Sequence, residues 1–312
     1  MATDSSVVDY EILLVDNASS DGSLQHVKRR YANHPKIRLV PLDQNYGFGP
    51  AFMKGLELAS PDAEYLAFSN IDLFVDPGWL NEIIKVFSLD PRIAIVSPVI
   101  CNYDSQSTIQ IAGSYLLNRY ILPLRIRYSA NDDYSKFLRE HPESYPAFGP
   151  MGPLFVCETD SFRRIGGFDP VFVLYGEEFD IGLRMWITGK RIMIAPNARA
   201  YHKFGFSSVP ARRFTYLFHR NMVRSMLKSV PTRDLLLVIP LGWMSLFAHA
   251  VGQALLLRDP VIIGNHVKAL LWNLRNVRDT IAYRGRLSST TMKHLLPVVR
   301  PDLIRGVHSL LR

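Results

Sequence analysis

The sequence predicts an α/β fold: a mostly parallel sheet flanked by helices, followed by a helical C-terminal region. Three observations predict it. Short apolar runs alternate with helical patterns through the first hundred residues, the arrangement that βα units and a parallel sheet require. Two of these runs lead to a carboxylate, Asp16 and Asp72, and open α/β sheets gather ligands at the carboxyl ends of their strands. From His202 onward the composition changes: 17 Lys and Arg face 4 Asp and Glu, a net +13, against −5 for residues 1–201. An acidic-leaning front half and a basic, apolar tail imply two jobs, divided here as a domain of residues 1–210 and a region of residues 211–312.

The elements follow in order. Residues 10–16 (YEILLVD) form a short apolar run of buried-strand composition. A polar loop with helix-capping residues follows, and residues 24–31 read as a helix. Residues 37–42 are a second strand, 44–49 a turn and 50–59 a helix. Residues 64–70 are a third strand, and 77–89 a helix with Pro77 in its first turn. Residues 93–100 are a fourth strand. Periodicity is weak over 101–150, an excursion with one short helix at 134–140. A strand at 154–157, a helical turn at 158–164 and an edge strand at 191–195 complete the front half, with 200–203 leading away.

In the tail, residues 211–228 are basic and amphipathic. Residues 235–257 run for 23 positions without Asp, Glu, Lys or Arg, past the length of about 20 that spans a bilayer. Pro240, Ser245, His249, Gln253 and two glycines interrupt the run, so a span, an interfacial helix, a re-entrant hairpin and a buried core helix all remain open. Residues 261–283 are a second amphipathic stretch. The tail resembles no nucleic-acid module in its aromatics or loops, so the expected partner is a membrane surface and not nucleic acid. Two cysteines exclude a disulfide framework or thiolate metal cluster and suit a reducing compartment. The first nine residues are polar, with no signal-peptide pattern.

The densest chemistry lies in residues 166–184. Gly166-Gly167 and Pro170 mark a turn, and Glu177, Glu178 and Asp180 open a helical segment in which Asp180 and Arg184 are spaced to pair. From the residues alone the carboxylates are equally caps of a helix dipole or a catalytic cluster. Asp21-Gly22 reads first as a turn, and His202, as a lone histidine, first as structural.

Five motifs taken together go further. VDNASSDGS (15–23), NYGFGPAFMKG (45–55), SNID (69–72), GGFDPVFVLYGEEFDIGLR (166–184) and His202 followed by Gly205 and Ser207 occur in this order. Residues 10–225 thereby resemble family 2 glycosyltransferases of the GT-A fold, in their rhamnosyltransferase-like branch, and His219-Arg220-Asn221 resembles an Arg-Asn signature there. The resemblance implies donor-nucleotide contacts from Asp16, Asn17, Asp21, Asn45 and Gly47. It implies Mg²⁺ or Mn²⁺ at Asp72 and His202, with Asn70 replacing the first carboxylate of an Asp-x-Asp motif. It makes Glu178 the general base, Glu where Asp is usual, and gives Gly167, Asp169, Glu177, Asp180 and Arg184 an acceptor-side or shaping role. The implied enzyme inverts configuration. It moves a sugar, rhamnose for example, from a nucleotide-sugar donor to a glycan or lipid-linked acceptor for cell-envelope polysaccharide, at the cytoplasmic face of the membrane.

The family opens with a further strand and helix, which need about 30 residues, whereas nine residues precede Tyr10 here. The expectation is a protein that starts further upstream, with unpaired strand edges where that strand would lie. A non-catalytic sugar-nucleotide-binding pseudoenzyme and a nucleotidyltransferase are the alternative readings.

Overall fold

The computed structural model describes residues 9–123, 125–127, 131–203, 210–284, 287 and 290–301. Gly205 and Ser207 lie outside the described residues. The front half runs β1 (Ile12–Asp16), α1 (Ser23–Tyr31), β2 (Ile37–Pro41), α2 (Phe48–Leu56), β3 (Tyr65–Ser69), β4 (Leu73–Val75), α3 (Trp79–Phe87) and β5 (Ile93–Asn102). The excursion holds β6 (Ile109–Ile111), β7 (Ser114–Leu116), β8 (Arg125–Arg127), α4 (Tyr134–Glu140) and β9 (Tyr145–Pro146). Then come β10 (Leu154–Glu158), α5 (Thr159–Arg164), α6 (Glu177–Ile187) and β11 (Arg191–His202). The tail is α7 (Ala211–Ser229), α8 (Thr232–Leu256), α9 (Val261–Arg275), α10 (Val277–Ala282) and a 3-10 turn, Met292–Val298.

The sheet is mixed, not mostly parallel. Strands β1 and β2 pair in parallel as a two-stranded sheet. The central sheet has the order β3-β10-β5-β11-β4, with β6 on β5 and β9 on β11. There β5 and β11 are parallel, while β10 runs antiparallel to both its neighbours and β4 antiparallel to β11. Parallel neighbours need a crossover of a dozen or more residues. Such crossovers carry helical patterns, and those set the expectation. Strand β10 instead enters from the irregular excursion, where there was no period to read. Among the described residues β1 pairs only with β2, and β3 ends the central order.

Strand β11 is internal rather than an edge. It pairs with β5 on one side and with β4 on the other. Its register slips between Ala195 and Arg199, around Pro196. A proline inside a strand needs such a bulge because it cannot donate to the ladder. Pro196 therefore ends the apolar run in the sequence but not the strand, and the second half carries His202 to the site.

Two apolar cores lie on the two faces of β5. Ile95 belongs to one and Val96 to the other, as successive strand residues point to opposite faces. The first core joins Phe155 and Phe179 to Met222, Met226, Val238, Leu246 and Leu295, so it runs without interruption across residue 210. In α8, Val238, Gly242, Leu246, Ala250 and Ala254 are buried, a four-residue repeat along one face. Only 22% of its most apolar window is buried, so α8 is not a core helix. His219 of α7 bridges the tail helices: its Nδ1 lies 2.9 Å from His266 Nδ1 and its Nε2 3.0 Å from His249 Nδ1. Burial, then the neighbouring histidines, pushes His219 down to about 3, so the bridge is neutral.

Candidate active site

The end that carries Glu178 is built by the turn into α6. Tyr175 (φ 68°) and Gly176 (φ 94°) are consecutive left-handed residues. They reverse the chain so that Glu177 and Glu178 open the helix. Tyr175 is the costlier of the two, since a side chain at positive φ is strained. Glu177 is buried, and its Oε1 has no hydrogen-bond partner. Burial first, and the Glu178 charge second, push Glu177 up to about 8, so it is mainly neutral at pH 7. Glu178 is half-buried.

Glu178 rests on a loop that sequence reasoning missed, residues 148–153. A Cβ on Gly149 would lie 2.9 Å from the Glu178 carbonyl oxygen, and one on Gly152 would collide with Glu178 Oε1. Gly152 makes the space the carboxylate occupies, and Gly149 lets the loop pass close to the Glu178 backbone. Their signal was present as two Gly-Pro pairs, Gly149-Pro150 and Gly152-Pro153, in the excursion. The same loop reaches the metal end: Asn70 N–H donates to Pro153 O at 2.9 Å.

Asp72 and His202 meet there. His202 Nε2 lies 3.5 Å from Asp72 Oδ1, and Lys203 N–H donates to Asp72 O at 3.1 Å. His202 Nδ1 lies 3.0 Å from Gln110 Oε1. Donation from Nδ1 to that amide oxygen would leave Nε2, on the Asp72 side, to act as a ligand. Gln110, on β6, has no pattern in the sequence to mark it. No group of three or more His, Cys, Asp or Glu suited to a metal exists among the described residues. A carboxylate and an imidazole suit a divalent cation whose other positions are filled by phosphate oxygens and water.

The residues expected on the donor side form a second loop system. Asp16, at the end of β1, accepts from Ser19 N–H at 3.2 Å, and Asp21 from Ser23 N–H at 3.0 Å. Asn17 is spent on the loop itself: its Nδ2 donates to Asn45 Oδ1 at 3.2 Å and Gly47 O at 3.0 Å, and its Oδ1 accepts from Tyr46 N–H at 2.9 Å. Gly47 has φ 90°, and a Cβ there would lie 2.5 Å from Val173 O. Phe48 N–H donates to that same oxygen at 2.8 Å. The donor loop thus abuts the 171–176 loop that leads into Glu178.

Four of the expected shaping residues lie behind this surface. Asp169 takes hydrogen bonds from Arg224 Nε at 2.9 Å and Lys228 Nζ at 2.6 Å. Lys228 also reaches Asp180 at 2.9 Å, and Asp180 pairs with Arg184. Arg184 Nη1 donates to Ile165 O at 2.7 Å. Gly167 (φ 64°) faces Met53 and shares an interior cavity with Asp169, Arg184, Lys228 and Tyr283. Burial alone would raise Asp169, but Lys228 and Arg224 outweigh it and hold the carboxyl at about 2. Of the basic residues of α7, Arg220, Arg224 and Lys228 are buried, while Arg212 and Arg213 in its first turn are exposed.

A model of glycosyl transferase family 2 matches residues 4–163, just over half the chain. The chain belongs to that family. Of the relatives of this family 2 glycosyltransferase, the N-acetylglucosaminyl-diphospho-decaprenol L-rhamnosyltransferase of Mycobacterium tuberculosis is 26% identical over 212 residues, covering 61% of this chain and 66% of that protein. GalNAc-T7, solved with UDP, GalNAc and Mn²⁺, superposes with a TM-score of 0.56 at 20% identity, over 70% of this chain and 41% of that one. TarS residues 1–349 of S. aureus gives 0.51 at 14% identity, over 89% and 81%. These likenesses place the family 2 chain in the GT-A fold, with the mixed sheet and helical tail described above.

Proposed function

We propose that this chain is an inverting glycosyltransferase that moves a sugar from a nucleotide-sugar donor to a lipid-linked glycan. The observation that carries the reading is the loop 148–153, which seats Glu178 on one side and holds the turn bearing Asp72 on the other. The rhamnosyltransferase relative, whose name specifies a diphospho-decaprenol acceptor, supports the lipid-linked acceptor and a rhamnose-like donor sugar. In this mechanism Asp16, Asp21 and the Asn45–Gly47 loop face the nucleotide, the loop being held by Asn17. Glu178 takes the proton of an acceptor hydroxyl as that oxygen bonds to the anomeric carbon. The bond from that carbon to the diphosphate oxygen breaks, the nucleoside diphosphate leaves and the configuration inverts. Neutral Glu177 places no like charge beside the base. A divalent cation held by Asp72 and His202 would neutralise charge on the leaving diphosphate, and the imidazole favours Mn²⁺ over Mg²⁺.

Thermal shift with a panel of UDP-, dTDP- and GDP-sugars, with and without Mn²⁺, tests the reading. A donor at about 100 times its Kd stabilises the fold by ~2.7 kcal/mol. That stabilisation is expected only with Mn²⁺, and it is expected to vanish in Asp72→Ala and His202→Ala. Equal shifts without Mn²⁺, or in either variant, would remove the metal from the proposal.

The same reading places the protein on the cytoplasmic face of the membrane through α8 and α9. Leu236, Met244 and Leu255 of α8 and Leu274 of α9 are exposed at 90%, 60%, 75% and 61%. Arg258 between the two helices, Lys268 and Arg275 of α9 and Arg278 of α10 lie exposed beside them. Burying one such apolar side chain yields about 1.5–3 kcal/mol, and each cation near an anionic surface about 1 kcal/mol more. The protein is expected to sediment with phosphatidylglycerol vesicles, and Met244→Asp with Leu255→Asp to release it. Parent protein that stays in the supernatant would refute this attachment.

A further inference from the structure

Helix α7 presents four buried polar side chains to the segment that carries Glu178. Arg224 and Lys228 hold Asp169 and Asp180 by charge. The other two, Arg220 and Asn221, touch only backbone there. Arg220 Nη2 donates to Val171 O at 3.0 Å, while its Nε donates to Asn221 Oδ1 at 2.9 Å. Asn221 Nδ2 then donates to two successive carbonyls, Leu174 O at 3.2 Å and Tyr175 O at 2.6 Å. The Asn221 amide is thereby committed on both sides, oxygen to Arg220 and nitrogen to the loop. Its Cβ stands 3.1 Å from where a Cβ on Gly176 would be.

We propose that Asn221 is a positioning residue for Glu178, oriented by Arg220, and that it acts by fixing the peptide planes of the left-handed Tyr175-Gly176 turn. This rests on Glu178 being the base. A non-glycine residue at φ 68° is strained and persists only where its surroundings over-determine it. Asn221 supplies that constraint, because carbonyls 174 and 175 converge on one amide nitrogen only when both residues keep their present dihedrals. Relaxation of Tyr175 towards negative φ would swing those carbonyls away and rotate the start of α6. Glu178 begins two residues after Gly176, so little chain is left to absorb the change. Displacing a reacting group by about 1 Å can cost on the order of 10²-fold in rate.

The test uses the full chain, with nucleoside diphosphate release from the best donor of the sugar-nucleotide panel in Mn²⁺. Asn221→Ala is expected to lower kcat roughly 10–100-fold while UDP or dTDP affinity and cooperative thermal unfolding persist. Asn221→Asp keeps the shape but turns an oxygen towards two carbonyl oxygens, so its kcat is expected to fall below that of the alanine variant. A packing role predicts the reverse order, because alanine leaves a cavity and aspartate does not. Aspartate outperforming alanine, or both at the parent rate, overturns the proposal. Asn221→Ser covers the case in which both other variants unfold: its shorter hydroxyl cannot bridge both carbonyls, so kcat is expected to fall, and a kcat at the parent rate overturns the proposal too. Glu178→Gln separates this idea from the reading beneath it. If that variant is inactive while the Asn221 variants run at the parent rate, only the positioning role fails. If Glu178→Gln itself turns over normally, the assignment of the base fails.

Discussion

Glu178→Gln is expected to lower sugar transfer about 10²–10⁴-fold, the usual contribution of a positioned general base, without loss of nucleoside diphosphate binding. The amide matches the carboxyl in shape, so the space left by Gly152 remains filled and the 148–153 loop keeps its course. What it removes is the ability to accept the acceptor proton. The donor loop touches the neighbouring segment through Val173, not through the Glu178 side chain, so affinity for nucleotide is expected to survive. Glu177 does not substitute. It is buried and pushed up to about 8, and a carboxyl that is mainly protonated at pH 7 is a poor base. Single-turnover release of nucleoside diphosphate, beside calorimetric titration of the same nucleotide, measures both quantities. A glutamine variant at the parent rate would place the base elsewhere.

What the sequence disclosed follows physical lines. Asp16 and Asp72 were readable because a carboxylate that closes an apolar run sits at a strand's carboxyl end whatever the sheet's direction. The helices of the front half were readable for the same reason, since their apolar faces recur at the helical period. Strand direction was not readable. The strands β4 and β6 to β9 are two or three residues long, too short to show alternation. Gln110 belongs to one of them, so the partner of His202 was invisible until β5 and β6 brought it there. Asn17, expected among the donor contacts by its motif, holds the Asn45–Gly47 loop through its side-chain amide. Arg220, Arg224 and Lys228 form a legible stripe along one helix. A stripe of cations reads as a solvated basic face, and only contacts spanning 48 to 59 residues reveal it as the wall behind the catalytic segment.

That wall carries the second large effect. Asp169→Asn is expected to destabilise the protein by about 3–5 kcal/mol, the cost of leaving buried charge without its partner. Arg224 is fully buried and would be left with Thr280, the exposed Asp279 and the Tyr283 ring, while Lys228 would be left with Asp180 and the rings of Phe172 and Tyr283. Pairing Asp169→Asn with Lys228→Met is expected to cost less than the sum of the two single changes, because the second removes a charge that the first stranded. The parent should also show an acid limb that the asparagine variant lacks. Asp169 is held at about 2 in the folded chain against an ordinary 3.8. A depressed carboxyl adds stability above its unfolded value and loses it as pH falls towards the folded one, here between about pH 4 and pH 2, for ~2 kcal/mol. Denaturant titration across that range measures both variants, and parallel curves for the parent and the asparagine variant would show that the network contributes nothing at Asp169. Activity then distinguishes the wall from the site. Asp169 touches neither Glu178 nor the Asp72–His202 pair, so the protein that remains folded at low temperature should still turn over donor near the parent rate, whereas folded Glu178→Gln should be slower by about 10²–10⁴-fold.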